Sequence, residues 1–325
     1  MTRFGLLSTA RINRVIIEGA AESDEVEVVA VASRDPGRAE AYAREHGIPT
    51  AHGSYEALLA DPTVDAVYIS LPNGLHCEWS IRSLEAGKHV LCEKPMSSDP
   101  AAVAAVFDVA EAHGLLCMEA FMWRHHPQTR RLEGLLTEGA IGELRVIRSD
   151  FGFTLDPASG DVRLAAELEG GALADLGCYC ISATRLLGGE PASVVARQVL
   201  APSGVDLRIA GTLALAGDVL AELVCGFDLP RRHALEAIGS EGSILVEDPW
   251  HCRQVGLRLT RGGELERIEI EPANSYRLEL ENLSRAIRGE EPPLLGRDDA
   301  IGQARTIAAL LEAARSGRAV ALARD

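Results

Sequence analysis

The 325-residue sequence is short of positive charge. It has 32 Lys and Arg against 48 Asp and Glu, which gives a net charge of −16. This deficit argues against a general nucleic-acid-binding protein, because such a protein needs a basic face to meet phosphates. A locally basic pocket for an anionic cofactor is still compatible with it.

Long apolar runs are also missing. The most apolar long stretch, 101–123, is interrupted by charged or polar residues and a glycine: Asp108, Glu111, His113, Gly114 and Glu119. A membrane-spanning helix needs about 20 mostly apolar residues, so no span and no membrane partner are predicted. The first residues lack the apolar core and small-residue cleavage site of a signal peptide. We therefore expect a cytoplasmic protein.

Cysteine pairs at metal-binding spacing are absent. The seven cysteines are an odd number, are scattered, and form no CxxC: Cys77, Cys92, Cys117, Cys178, Cys180, Cys225 and Cys252. This distribution predicts buried, reduced thiols rather than a disulfide framework. Cys178 and Cys180 could reach a metal, but no His–Cys ligand spacing supports one, so no metal site is predicted.

What is present is a two-part pattern along a chain long enough for two domains. Predicted strands at 3–7, 27–32, 66–70, 89–92 and 115–119 alternate with helices at 8–22, 36–46, 55–60, 76–86 and 100–113. Such repetition requires a parallel sheet with helices on both faces. We predict an α/β Rossmann domain over residues 1–121.

The rhythm changes after residue 122. A helix at 127–139 and one at 172–187 stand among predicted strands at 144–153, 193–200, 208–216, 219–228, 233–239, 243–247, 255–260 and 265–270. Helices at 276–288 and 298–316 follow. This succession predicts an α+β domain over 122–325 with a large, mostly antiparallel open sheet. Strands such as 219–227 are apolar on both sides, which favours a homodimer or homotetramer that covers the second face.

The turn after the first strand is a candidate phosphate-binding loop. Gly5 and Ala10 match the first and third positions of the dinucleotide fingerprint G-x-G-x-x-G/A, but Leu7 stands at the second. The prediction therefore depends on context: the loop follows a strand and opens a helix, whose amides favour an anion. Ser8 and Thr9 add hydroxyl groups, and Arg11 adds charge.

The end of the second strand distinguishes the nicotinamide cofactors. Ser33 stands where an NAD site would carry an acid, and Arg34 and Arg38 can both reach a 2′-phosphate. Asp35 lies one or two positions after the place where an NAD site carries its acid, so NAD is also compatible with this segment. A helix cap at Asp35 beside exposed arginines is a purely structural explanation. We predict NADP, with NAD as the alternative.

Glu93-Lys94-Pro95 follows the fourth predicted strand, at the sheet edge where ligands of open parallel sheets bind. A lysine there can polarise a carbonyl or lower the pKa of a hydroxyl. On spacing alone, an exposed lysine in a turn is the more common explanation.

Three motifs in order resemble the Gfo/Idh/MocA oxidoreductase family over essentially the whole chain. They are Pro72-Asn73-Gly74-Leu75-His76, Glu93-Lys94-Pro95, and the run Gly170-Gly171-Ala172-Leu173-Ala174-Asp175-Leu176-Gly177-Cys178-Tyr179. The sequence is most similar to the branch with dimeric dihydrodiol dehydrogenases, NADP-dependent xylose dehydrogenases, glucose–fructose oxidoreductase and sugar 3-ketoreductases. The departure at Leu7-Ser8-Thr9 also occurs in that branch.

The resemblance implies catalytic roles for Lys94, Asp175 and Tyr179. Asp175 and Tyr179 lie four residues apart, hence on one helix face. Tyr179 stands where many family members have His, which makes it the expected proton donor or acceptor, with Lys94 nearby to lower its pKa. Without the resemblance, Asp175 reads as a carboxylate at a helix start.

The resemblance also implies binding residues. Those expected at the cofactor are Gly5, Leu7, Ser8, Thr9, Ala10, Arg11, Ile12, Ser33, Arg34, Arg38, Leu71, Pro72, Asn73, His76, Glu93, Lys94, Trp123 and Arg124. Those expected at the substrate are Lys94, Trp123, His126, Arg163, Asp175 and Tyr179. A surface salt bridge explains Arg163 about as well.

The implied reaction is reversible hydride transfer between a nicotinamide and a carbinol or keto carbon of a sugar or sugar derivative. The alternative is a non-catalytic regulatory protein of the same fold that senses NAD(P) or a sugar. The motifs leave the sugar, the carbon and the direction open, because specificity lies in loops at 151–169 and 228–254.

Overall fold

The computed structural model describes residues 1–156 and 159–322. The chain forms two compact units. The first contains residues 1–122 together with 274–301, and the second contains 123–273 together with the segment from Gly302 onward.

The first unit alternates strand and helix, as the sequence predicts. Its elements are β1 (Thr2–Leu7), α1 (Asn13–Ala21), β2 (Val26–Ala32), α2 (Pro36–His46), β3 (Thr50–His52), α3 (Tyr55–Leu59), β4 (Ala66–Ile69), α4 (His76–Glu85), β5 (His89–Glu93), α5 (Pro100–His113) and β6 (Cys117–Ala120). The strands form one parallel sheet in the order β3-β2-β1-β4-β5-β6. The order reverses between β1 and β4, and ligands of open α/β sheets bind beyond the carboxyl ends of strands at such a point.

Helices α2 and α5 have the boundaries that their local signals predict. Asp35 and Asp99 each precede a proline and accept a hydrogen bond from a backbone amide of the first turn. Gly47 and Gly114 end the helices with φ of 68° and 65°, which a glycine adopts without strain. Helix α1 differs from its prediction: it begins at Asn13, not at residue 8, and no side chain caps its start.

The second unit is built on a broad sheet. It contains α6 (Pro127–Thr137), β7 (Leu144–Thr154), α7 (Cys178–Gly188), β8 (Ser193–Leu200), β9 (Asp206–Ala214), β10 (Leu220–Gly226), β11 (Asp228–Gly239), β12 (Gly242–Val246), β13 (Leu257–Arg261) and β14 (Glu264–Ile268). Helix α7 is shorter than its prediction, because Leu173–Gly177 forms a π-helical turn before it. Its apolar residues pack against β7 and β10, where Ile147, Leu223 and Cys225 are buried.

The chain ends with α8 (Ser275–Ile287), α9 (Arg297–Ser316) and β15 (Val320–Ala321). Over the residues that the structure describes, the sheet of the second unit has the order β14-β13-β12-β11-β7-β10-β9-β8-β15. Within it, β7 and β10 pair in parallel, and the other neighbours pair antiparallel. This arrangement confirms the predicted fold class.

Helix α8 lies in the first unit. The sequence assigns everything after residue 121 to the second domain, but residues 274–301 pack in the first unit. A Cβ added to Gly19 in α1 would lie 2.8 Å from the backbone nitrogen of Arg277, so glycine permits this close approach. At the other end of α8, Arg285 forms an ion pair with Glu25. The sequence pattern of an amphipathic helix predicts an apolar face, but it does not predict which part of the chain covers that face.

Two expectations about composition can be compared with the structure. All seven cysteines are free thiols, and six of them are buried. Among the described helices, none combines the length and apolar character needed to cross a bilayer.

Candidate active site

The loop between β1 and α1 is held in an unusual conformation. Ser8 has φ of 150°, which residues other than glycine rarely adopt. Its hydroxyl lies 2.7 Å from the Ser70 hydroxyl and accepts a hydrogen bond from the Ala10 amide, while the Asn13 side chain donates to its carbonyl. The Ser70 hydroxyl in turn donates to Asn13. The network fixes the backbone of residues 8–13 at the carboxyl edge of the sheet, where a phosphate-binding loop is predicted.

Gly5, the first glycine of the predicted fingerprint, has a packing role. A Cβ there would lie 2.8 Å from Leu58 Cδ2, so the glycine lets α3 approach β1. Thr9, Arg11 and Ile12 are at least partly exposed, and Leu7 is buried in the strand. The loop therefore presents its turn backbone and the Thr9 side chain at this edge, rather than a run of glycines.

At the end of β2, Ser33 is buried and accepts a hydrogen bond from the Asp35 amide. Asp35 caps α2, so the structural explanation for this residue holds. Arg34 and Arg38 are exposed, and in the described ranges neither forms an ion pair. Two unpaired guanidinium groups beside a small side chain suit a 2′-phosphate better than a ribose hydroxyl.

His76 joins the loops that follow β4 and β5. Its two ring nitrogens lie 2.8 Å from the carbonyl oxygens of Leu71 and Pro95, and its side chain is buried. The ring therefore holds the segment around Lys94 against Leu71, Pro72 and Asn73. All five lie at the carboxyl edge of the sheet, and the peptide bond between Lys94 and Pro95 is cis.

Glu93, beside Lys94, receives a hydrogen bond from the Tyr68 hydroxyl. Burial, and then the Glu93 carboxylate, raise the pKa of Tyr68 well above its ordinary value, so the hydroxyl stays protonated and donates. The second carboxylate oxygen of Glu93 accepts from the Lys94 amide at 3.2 Å. Two residues further on, the amide of Met96 donates to Glu119 at 2.7 Å. Side chains from three neighbouring strands thus fix the backbone that carries Lys94.

In the second unit, Gly171 makes room for a carboxylate. Gly171 has φ of 125°, and a Cβ on it would lie 2.1 Å from Asp206 Oδ1. The other oxygen of Asp206 accepts a 2.6 Å hydrogen bond from the Leu173 amide. Asp206 therefore caps the π-helical turn from a strand 33 residues away. Burial raises the pKa of Asp206 to about 7, against these backbone hydrogen bonds.

Asp175 lies within the π-helical turn, and Tyr179 is the second residue of α7. Both π- and α-helical geometry bring positions i and i+4 close to the same face, so the predicted pairing of these two side chains survives the irregular turn. Single π-helical turns are frequently found at functional sites.

Arg163 lies 3.7 Å from Asp175 and forms a bidentate ion pair with Asp161. Arg163 thus forms the salt bridge that the structural explanation expects, and it also lies close to Asp175.

Tyr179 is one wall of an aromatic cluster that the sequence did not predict. Its ring lies 5.4 Å from that of Phe151 and 5.9 Å from that of Trp250, and His251 packs edge-on against Phe151. Trp250 donates its indole N–H to the carbonyl of Asp150. The only sequence signal was positional: these residues fall in, or at the border of, the loops at 151–169 and 228–254.

The segment before α6 contains three more predicted residues. The ring of Trp123 contacts that of Trp250 at 5.5 Å, and Arg124 donates to Ser182 in α7. His126 is fully buried and caps α6, where its Nδ1 accepts a hydrogen bond from the Gln128 amide. Burial lowers the pKa of His126. The structure thus places Trp123 beside the aromatic cluster, and gives His126 a capping contact.

The predicted residues form two groups. In the first unit, the loop after β1, the end of β2 and the turns after β4 and β5 gather at one sheet edge. In the second unit, Tyr179 and Trp123 contact the aromatic cluster. Asp175, four residues before Tyr179, lies 3.7 Å from Arg163.

Two family models match the chain. The Gfo/Idh/MocA oxidoreductase family, NAD-binding Rossmann fold, matches residues 3–121, and the Gfo/Idh/MocA C-terminal domain matches residues 129–245. The chain belongs to the Gfo/Idh/MocA oxidoreductase family. The resemblance carried by the three sequence motifs is confirmed.

Several similar proteins are named as sugar oxidoreductases or ketoreductases. A D-xylose 1-dehydrogenase (NADP(+)) from Haloferax volcanii is 39% identical over 98% of this chain and 99% of its own length. A 3-ketoreductase from Actinomadura kijaniata, solved with NADP and TDP-benzene, has a TM-score of 0.88 at 32% identity, with 96% and 97% of the two chains covered. An aldose-aldose oxidoreductase from Caulobacter crescentus, solved with glycerol, has a TM-score of 0.91 at 30% identity, with 99% of each covered.

Proposed function

We propose that this protein is an NAD(P)-dependent oxidoreductase that transfers hydride between a nicotinamide and a carbinol or keto carbon of a sugar or sugar derivative. The observation that carries the proposal is the position of Tyr179. It lies four residues after Asp175, just beyond the π-helical turn, and its ring packs against those of Phe151 and Trp250. An aromatic wall beside polar side chains suits the apolar faces and hydroxyl groups of a sugar ring. The sugar oxidoreductases among the relatives support it.

When bound, the nicotinamide accepts or supplies the hydride. In the oxidative direction, Tyr179 takes the proton of the substrate hydroxyl, and in the reductive direction it returns a proton to the carbonyl oxygen. Lys94 supplies a positive charge that stabilises the tyrosinate, and Asp175 accepts a hydrogen bond from a substrate hydroxyl and fixes the ring orientation. Glu93, Tyr68 and His76 hold the backbone of Lys94 in position.

We propose NADP as the preferred cofactor. Arg34 and Arg38 are exposed and unpaired among the described residues, and the adjacent Ser33 carries no negative charge that would repel a 2′-phosphate. The Haloferax dehydrogenase is named for NADP, and the Actinomadura reductase was solved with it, which supports this assignment.

We also propose that the protein is a homodimer or a larger homo-oligomer in the cytoplasm. On the sheet of the second unit, the side chains of β10 alternate: Leu223 is buried, while Leu220 and Val224 are 47% and 38% exposed. Val195 and Val199 on β8 are exposed as well. Exposed apolar side chains on β10 and β8, two strands of one sheet that flank β9, favour contact with a second copy of the chain. Sedimentation at micromolar protein should give at least twice 34.7 kDa.

A substrate panel tests the central proposal. We expect absorbance changes at about 340 nm, the nicotinamide band, with at least one aldose, polyol or keto-sugar, and faster turnover with NADP(H) than with NAD(H). Tight cofactor binding without turnover on any of these compounds would favour the non-catalytic sensor.

A further inference from the structure

Three side chains in the second unit place metal-binding atoms close together. His233 lies on β11, and Asp248 and His251 lie in the loop after β12. Their candidate ligand atoms all lie within 4.8 Å of one another. Asp248 Oδ1 is 3.9 Å from His233 Nε2 and 3.6 Å from His251 Nδ1.

The carboxylate at the centre of this group is firmly held. Asp248 is 6% exposed, and its Oδ2 accepts hydrogen bonds from the amides of Arg253 and Gln254 at 2.9 and 3.2 Å. Its Oδ1 is buried and has no hydrogen-bond partner among the described residues, and the same holds for His251 Nδ1. The 3.6 Å between these two atoms is too long for a hydrogen bond. Buried polar atoms normally find partners, so two orphaned atoms that face each other require an explanation.

We propose that His233, Asp248 and His251 bind a divalent transition-metal ion of the Zn²⁺ type. Two imidazoles and one carboxylate with a fourth position open is a common ligand set for zinc, whereas Mg²⁺ and Ca²⁺ prefer oxygen alone. Zinc bond lengths of about 2.0–2.2 Å place tetrahedral ligand atoms roughly 3.3 Å apart. The separations of 3.6 and 3.9 Å reach that value when the side chains move by a few tenths of an ångström.

The surroundings support this geometry. His233 pairs in register with Phe151 of β7, and the Phe151 ring packs at 5.5 Å against His251, so both imidazoles are positioned by the same strand. The two histidine side chains are 22% and 29% exposed, which lets an ion and a fourth, water ligand enter from solvent.

Asp150, the carboxylate that precedes Phe151 on β7, is paired with Arg232 at 2.9 Å. An ordinary ion pair between Asp248 and a protonated histidine is the competing explanation. It predicts no affinity for zinc beyond that of other surface histidines, which makes the two explanations separable.

Equilibrium dialysis of the full-length protein, first stripped with a chelator, against ZnSO₄ tests the proposal. We expect one tightly bound Zn²⁺ per chain. His233→Gln and His251→Gln should each weaken binding by at least about tenfold, whereas His113→Gln, an exposed histidine at the end of α5, should leave it unchanged. Glutamine keeps the side chains polar and of similar size, and circular dichroism verifies folding.

Substitution of Co²⁺ gives a second readout that needs no variant. Ligation by nitrogen and oxygen produces visible d–d bands without the near-ultraviolet charge transfer that thiolates such as Cys77 would add. No zinc retained by the unmodified protein, equal retention by the histidine variants, or a thiolate spectrum would each overturn the proposal. Because neither readout uses turnover, these outcomes are independent of the proposed oxidoreductase activity.

Discussion

Two kinds of helix start occur in this protein, and they differ in what holds them. Helices α2 and α5 are capped by an aspartate adjacent to the first turn and opened by a proline. The starts of α1 and of the π-helical turn before α7 have no local cap. Instead, Ser8 is held by Ser70, and the Leu173 amide by Asp206. The comparison teaches that the turn before α1 and the turn before α7 are held by residues distant in sequence, whereas α2, which begins beside the predicted 2′-phosphate site, is capped locally.

The largest expected effect concerns Tyr179 in α7, the helix whose preceding turn is held by Asp206. Tyr179→Phe keeps the ring and its packing and removes only the hydroxyl. We expect kcat to fall about 10²–10⁴-fold, the usual contribution of general acid–base catalysis, while the cofactor Kd stays nearly unchanged. Steady-state kinetics and cofactor titration measure the two.

Lys94→Ala should cost at least as much in kcat and should also weaken cofactor binding. The double variant should be far less than multiplicatively worse, because the two residues act as one unit. A Tyr179→Phe enzyme with unchanged kcat and a raised KM would instead make Tyr179 a simple substrate contact.

The locally capped helix α2 gives the next largest effect, because it begins beside the predicted 2′-phosphate site. Arg34→Ala should raise the KM for NADP about ten- to a hundredfold, the equivalent of about 1.5–3 kcal/mol for a charge-assisted contact. The KM for NAD should change little. Equal changes for both cofactors would remove the argument for NADP. Arg131→Ala, which removes a partly exposed arginine of α6, is the control.

A third test compares the two kinds of cap directly. Asp99→Ala removes the local cap of α5 and should lower the free energy of unfolding by about 1 kcal/mol without affecting kcat. Asp206→Ala leaves the buried Leu173 amide unpaired and should cost about 1–3 kcal/mol. It should also lower kcat, because Asp175 and Tyr179 follow that start. Denaturant titration and kinetics on both variants test this, and a fully active Asp206→Ala enzyme would contradict the comparison.

The last test is a pH dependence of stability, which grows gradually with each pH unit. Because burial raises the pKa of Asp206 to about 7, the folded protein binds this proton more tightly than the unfolded chain, whose pKa is about 4. The resulting stabilisation is complete below about pH 4 and is lost as the pH rises to about 7. Relative to Asp206→Asn, the unfolding free energy of the natural protein should fall by up to about 1.4 kcal/mol per pH unit in this window. If the unfolding free energies of the natural protein and of Asp206→Asn change with pH in the same way, Asp206 does not titrate in this window.

The predictions from sequence were most accurate where the signals are local. Pro36 to Gly47 and Pro100 to Gly114 carry cap, proline and glycine within one segment, and both helices have the predicted bounds. The short strands β3 and β15 were missed, because two or three residues show no periodicity. The start of α1 was placed five residues early, because Ser8 and Thr9 resemble a local cap.

The candidate site was predictable to the extent that it lies in motifs. Lys94, Asp175 and Tyr179 stand in short runs that resemble the family, and their roles stay predictions until the variants above are measured. Phe151 and Trp250 carry no motif, since their contact with Tyr179 exists only when β7 and a distant loop come together. For the same reason no spacing rule points to His233, Asp248 and His251.

The sequence by itself determined the alternation of strand and helix, the parallel character of the first sheet, the mostly antiparallel character of the second, and the family. These follow from periodicity, turn residues and short motifs, which act within a few residues of one another. Only the tertiary structure decided that α8 packs in the first unit, that Asp206 caps a helix across 33 residues, and which rings surround Tyr179. Such contacts depend on which surfaces complement each other in space, and sequence separation carries no information about that.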